Sequence, residues 1–135
     1  MISDLQYRKR NVKLLIVEDE EITILFYQQI FSKFINNLYF AKDGAQGIEF
    51  CKKIMPDVII SDINMPEING IEMTKYLKSQ PETEKIPVLL CSTLYKSEIV
   101  TDISCCDEYF SKPLTIDNVK SILNKYFVNQ VCSRK

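Results

Sequence analysis

Asp57-Val58-Ile59-Ile60-Ser61 runs straight into Asp62-Ile63-Asn64-Met65-Pro66, and Gly70 follows. A short, unbroken apolar run of this kind marks a strand buried on both faces, where a half-exposed strand would alternate. The loop from Asp62 to Asn69 begins on a carboxylate. Working outward, Lys13-Leu14-Leu15-Ile16-Val17, Leu38-Tyr39-Phe40-Ala41 and Pro87-Val88-Leu89-Leu90-Cys91 read in the same way, and Tyr109-Phe110 gives a shorter fifth strand. Between them lie patterns of helical spacing. Ile22, Leu25, Phe26, Ile30 and Phe34 mark the first, ended by Asn36-Asn37; Ala45, Ile48, Cys51 and Ile54 the second, stopped by Pro56; Ile71, Thr74 and Leu77 the third. Ser97 to Ser104 reads as a short fourth helix, and Val119, Ile122, Leu123 and Tyr126 as a fifth, with Thr115 as N-cap. Strand and helix therefore alternate five times, which predicts an α/β fold: a doubly wound, five-stranded parallel sheet with helices on both faces. The domain is expected over residues 13–127, with an N-terminal extension at 1–12 and a tail at 128–135.

Open sheets of this kind bind ligands beyond the carboxyl ends of their strands. Glu18 and Asp19 follow the first strand, Asp62 the third, Ser92 and Thr93 the fourth, and Lys112 the fifth. Three carboxylates gathered on one rim raise each other's pKa, and a cation relieves that repulsion. Oxygen ligands few in number suit Mg2+, with water completing its shell. Asp19 and Asp62 are the expected direct carboxylate ligands, and Glu18 is long enough to act through a water. A carboxylate beside such an ion is also a nucleophile toward phosphorus. Phosphoryl transfer needs positioning and positive charge on the equatorial oxygens, which Lys112 supplies, while Ser92 can donate a hydrogen bond.

The segments Leu14 to Glu20, Asp57 to Pro66 with Gly70, Pro87 to Ser92, and Tyr109-Phe110-Ser111-Lys112-Pro113 together resemble the receiver domains of bacterial response regulators, the CheY-like proteins with a flavodoxin-like fold. The resemblance covers about Lys13 to Phe127. It implies a strand order of 2-1-3-4-5, Asp62 as phosphoacceptor, and Lys112 as the phosphate-binding lysine. It further implies Glu18 and Asp19 as the acidic pair, the Asn64 backbone carbonyl as a Mg2+ ligand, and Ser92 and Tyr109 as the switch residues. The Lys112-Pro113 bond is expected to be cis. The implied partners are a sensor histidine kinase or phosphotransfer protein, and an output partner on the face formed by the fourth helix, fifth strand and fifth helix. The chain is then a phosphoacceptor that assists its own phosphorylation and dephosphorylation, not a turnover enzyme, and a monomer or phosphorylation-dependent dimer.

Departures from the family pattern are Cys105-Cys106 in place of the frequent Gly-Ala, Thr93 where a smaller residue is usual, and a slightly short stretch from Ser92 to Lys112. Leu94, flanking the reactive aspartate, offers no help in placing a hydrolytic water, so slow self-dephosphorylation is expected. Two other readings stand beside this one. A phosphate-independent binding module would have no need of the complete set Glu18, Asp19, Asp62, Ser92 and Lys112. An aspartyl-intermediate phosphatase wants a second aspartate where Asn64 stands. A receiver cut from a larger regulator or hybrid kinase remains a third possibility.

Bulk properties exclude several classes. Seventeen basic against eighteen acidic residues leave a net charge of -1, without the basic excess that nucleic acid selects. The absence of histidine, with five cysteines not spaced as ligand pairs, removes the common zinc patterns and any phosphohistidine chemistry within the chain. Reduced thiols and the lack of a long apolar segment or signal peptide point to a cytoplasmic protein with no membrane insertion. As packing explanations, Cys51 and Cys91 are small core residues, Tyr109 a half-buried strand residue, and Lys112 a surface charge.

Overall fold

In the computed structural model, residues 10–93 and 102–127 are described. They form β1 (Arg10–Val17), α1 (Glu21–Phe31), β2 (Ile35–Ala41), α2 (Gly44–Ile54), β3 (Val58–Asp62), α3 (Gly70–Lys78), β4 (Val88–Ser92), β5 (Glu108–Ser111) and α4 (Ile116–Tyr126). All strand pairs are parallel, and the sheet order is β2-β1-β3-β4-β5. The expected doubly wound sheet and its order are therefore observed. The helix expected over 97–104, Leu94 and the tail at 128–135 lie outside the described residues.

Strand alternation divides the core in two. Leu14, Ile16, Ile60, Leu89 and Cys91 face α1 and α4, where Tyr27, Phe31, Val119 and Phe127 cover them. Leu15, Val17, Ile59, Val88 and Leu90 face α2 and α3, under Cys51, Met73 and Leu77. Side chains of neighbouring strand positions point to opposite faces, so one unbroken apolar run serves both cores.

Three expectations are corrected. Arg10 to Val12 belong to β1, not to an extension: Arg10 pairs with Ile35 across an irregular register, and Val12 is buried. Exposed Asn11 and Lys13 alternate with buried Val12, so this end of the strand lacks the unbroken apolar run that marks the rest. Asn36-Asn37 lies inside β2, where it ends no helix; Asn37 pairs with Lys13, and its Nδ2 donates to Asn11 Oδ1 at 3.3 Å. At the end of an edge strand, polar side chains keep contact with water. The buried stripe of α1 is centred on Tyr27 and Phe31, while Ile22 and Leu25 stand 77% and 59% exposed.

The loop after β3 is held in place by backbone bonds. After β3, the Ile63 N–H donates to the Cys91 carbonyl (2.9 Å) and Gly70 N–H returns to the Ile63 carbonyl (2.8 Å). Gly70 is required there, because a Cβ would stand 2.2 Å from the Asp62 carbonyl oxygen. The Asn69–Glu72 capping box then starts α3.

Candidate functional site

The rim above β1, β3 and β5 gathers the acidic residues expected from the sequence. One carboxylate oxygen from each of Glu18, Asp19 and Asp62 lies within 4.8 Å of the others. They line a cleft of about 460 Å³ with Glu20, Asn64, Thr93 and Lys112. Lys112 Nζ donates to Glu18 Oε1 at 2.8 Å and stands 3.6 Å from Asp62 Oδ2. The Lys112–Pro113 peptide bond is cis, and the Lys112 N–H donates to the Ser92 carbonyl at 2.7 Å.

Burial separates the carboxylates by role. Glu18 is 1% exposed and Asp19 is open to water. Asp19 does not cap α1; that position is Glu20, which makes no side-chain cap. The Glu20 N–H instead donates to Glu18 Oε2 at 3.2 Å. Burial raises the Glu18 carboxyl above its ordinary range despite the Lys112 hydrogen bond, and Asp62 repels it further. Asp62 is raised for the same first reason, against the pull of Lys112 and backbone N–H bonds from Asn64 and Ile63; Asp19 adds to the rise. Burial works against the Lys112 ammonium too, but Glu18 and Asp62 hold its pKa above the usual lysine value. Charge here is confined and only partly compensated: three carboxylates converge, and the Lys112 ammonium pairs with two of them, Glu18 and Asp62. That donor set, all oxygen and carboxylate-rich, fits a hard divalent cation.

Other expected residues sit apart from the cleft. Ser92 ends β4 and is 1% exposed; the wall of the cleft is its neighbour Thr93. Tyr109 is half-buried, packed toward the α2–α3 side, and its hydroxyl donates to the Ser92 carbonyl at 3.4 Å. Its ring does not stand out into solvent. Cys105 has cationic neighbours, Lys75 and Lys78, but burial outweighs them and raises both it and Cys106. Such thiols stay protonated at neutral pH.

Sequence reasoning missed the apolar ground beside this site. A second cleft of about 350 Å³ shares Glu20, Thr93 and Lys112 with the first and continues over Ile22, Thr23, Phe26, Tyr27, Pro113 and Leu114. Its signal lies in Ile22, an apolar residue of the helical pattern that the structure leaves exposed.

Comparison with known proteins agrees with the fold. The model of the response regulator receiver domain matches residues 14–124. The polar-differentiation response regulator DivK of Brucella anthropi is 26% identical over 115 residues, covering 84% of this chain and 94% of that protein. Among solved structures, the signal receiver domain of a signal transduction histidine kinase from Syntrophus aciditrophicus superposes with a TM-score of 0.77 at 27% identity, over 87% of this chain and 91% of that one. The N-terminal domain of an uncharacterized protein from Wolinella succinogenes gives 0.79 at 26% identity, over 90% and 98%.

Proposed function

This chain belongs to the response regulator receiver domain family of two-component systems, and from that premise we propose that it is switched by accepting a phosphoryl group on Asp62. The observation that carries the reading is the Lys112 ammonium, 2.8 Å from Glu18 and 3.6 Å from Asp62, inside a cleft where three carboxylates converge. An Asp62 carboxylate oxygen attacks the phosphorus of a phosphohistidine. The P–N bond breaks, and the imidazole leaves with the electron pair and is protonated by water. Lys112 is within reach to exchange its Glu18 partner for a phosphoryl oxygen. The Asn64 and Ile63 N–H groups hold the Asp62 carboxylate in place meanwhile. Glu18, Asp19 and Asp62, with the Asn64 carbonyl, are the residues that would hold Mg2+, which when bound neutralises charge on the transferred group.

The donor is a sensor histidine kinase or phosphotransfer protein. It has to bring its histidine to this rim, and the exposed Ile22 and Leu25, one turn apart on α1 beside the apolar cleft, support docking there. Output follows a population shift over the β5–α4 face, with Ser92 and Tyr109 as the moving parts. Among the described residues no helix is long and apolar enough to cross a membrane; a cytoplasmic site of action fits a kinase donor.

The test is intact mass after incubation with acetyl phosphate, with Mg2+ and with a chelator, for wild type and Asp62→Asn. A gain of one phosphoryl group that needs Mg2+ and disappears in the mutant is expected. No gain under any condition would turn the reading toward a phosphate-independent binding module.

A further inference from the structure

Among the described residues, Glu20, Thr93 and Lys112 are the ones that border both the acidic and the apolar cleft. Lys112 is engaged with Glu18 and Asp62. Glu20 has no cation within ion-pair distance among the described residues. It is exposed and directly follows the acidic pair in the chain. The acidic cleft thus carries a further carboxylate on its wall, beyond the three that converge.

Local helix energetics do not explain a glutamate here. Glu20 is the N-cap of α1, a position where Ser, Asp or Asn satisfies first-turn N–H groups, and its side chain makes no such bond. Nor does that side chain trail into solvent. Thr23 Oγ1 donates to Glu20 Oε1 at 2.6 Å, and the Glu20 N–H donates to Glu18 Oε2 at 3.2 Å. The carboxylate is therefore tethered at the boundary of the two clefts, and its main chain is tied to the acid that holds Lys112. A fixed negative charge on the wall of a cleft repels an incoming anion and attracts a cation.

We propose that Glu20 selects the phosphoryl donor by charge: it favours a donor whose leaving nitrogen offsets the phosphoryl charge over a free acyl phosphate dianion. This rests on the phosphoacceptor reading above, and it deepens it by naming the class of donor. With acetyl phosphate, a dianion at neutral pH, attack by Asp62 breaks the P–O bond and acetate leaves with the electron pair, so the leaving group is itself an anion. With phosphoramidate, a monoanion whose nitrogen is protonated, the P–N bond breaks and neutral ammonia leaves with the pair. A phosphohistidine shares that P–N bond.

The test measures second-order phosphorylation rates with both donors, at saturating Mg2+ and low salt, for wild type, Glu20→Gln and Thr23→Val, each first confirmed as folded by thermal unfolding. Glu20→Gln keeps an oxygen for the Thr23 hydroxyl and removes the charge. It is expected to speed the reaction about fivefold with acetyl phosphate and about twofold with phosphoramidate. Thr23→Val releases the carboxylate with its charge intact and is expected to give part of the same gain. Added salt is expected to speed wild type with acetyl phosphate more than it speeds Glu20→Gln. Rates raised equally for the two donors, or not raised at all, would overturn the assignment. Calorimetric Mg2+ titration provides a readout independent of phosphorylation, and binding about threefold weaker in Glu20→Gln is expected. If wild type takes a phosphoryl group from neither donor, the phosphoacceptor reading falls by itself. The titration then still decides whether the Glu20 charge acts in the cleft: equal affinities would sink its role.

Discussion

The two faces of the sheet are filled by different means. Under α1 and α4, large side chains do the filling: Tyr27, Phe31, Phe110 and Phe127. Around α2 and α3, three glycines allow close approach, to backbone at Gly44 and Gly70 and to a side chain at Gly47. A Cβ on Gly44 would lie 2.3 Å from the Ile68 carbonyl oxygen, on Gly47 2.7 Å from Met73 Sδ, and on Gly70 2.2 Å from the Asp62 carbonyl oxygen. Side chains can change rotamer under load, whereas packed backbone has little freedom to give way. The loop that follows Asp62 is fixed on the side with no slack, and the Asp62 side chain points to the side that can adjust. A site that accepts and releases a phosphoryl group, as proposed for Asp62, would gain from both.

The contrast can be broken most severely on the aromatic face. Phe31 is fully buried, and Phe31→Ala is expected to lose about 4 kcal/mol in denaturant unfolding. A loss below about 1 kcal/mol would mean that ring packing does not hold that face. On the other face, Gly70→Ala meets backbone atoms and is expected to lose about 3 kcal/mol, with phosphorylation of Asp62 lost as well. Retention of both would show that the loop has slack.

A pH profile of stability sharpens the comparison at the rim. Burial raises the Asp62 and Glu18 carboxyls above their ordinary values of 3.8 and 4.5. A raised carboxyl keeps its proton in the folded chain after the unfolded chain has released it. Stability is therefore greatest below the ordinary values and falls as pH rises through the raised ones. Metal-free protein is expected to melt higher as pH drops from neutral into that window. Asp62→Asn is expected to flatten the profile and to melt above wild type at neutral pH; an unchanged profile in the mutant would remove Asp62 from the account. The smallest effect belongs to Gly47→Ala. Its Cβ meets the flexible end of Met73, costing about 1 kcal/mol, and helix propensity returns a similar amount. A net change near zero in chemical denaturation is expected, and a loss as large as that of Gly70→Ala would show that Met73 cannot move.

Strand positions and the rim were legible because apolar runs and the residues that end them follow from local sequence alone. Val17 leads to Glu18, Ser61 to Asp62 and Phe110 to Lys112 by chain order, and parallel strands bring their carboxyl ends together. The strand order came from family resemblance, since no run of residues says which strand lies next to which. Depth was not legible. Glu18 and Asp19 are adjacent acids on one cleft, yet one is buried and the other open, because Glu18 is enclosed at the strand end while Asp19 stands at the mouth. The stripe of α1 was misread for a similar reason: Ile22 and Leu25 are more apolar than Tyr27, but the rotation of the helix at the rim leaves them outside. Hydropathy ranks residues, and burial depends on where the helix lies.

The hydrogen bond between Lys112 and Glu18 joins residues 94 positions apart. Closing so long a loop costs conformational entropy, which the docking of β5 has to repay. A nascent chain that has built β1, β3 and β4 already owns every carboxylate of the cleft but not its ammonium. Until the fifth strand arrives, the carboxylates lack the lysine that answers their charge. In the proposed chemistry, the site would be complete only once the last strand of the sheet is in place.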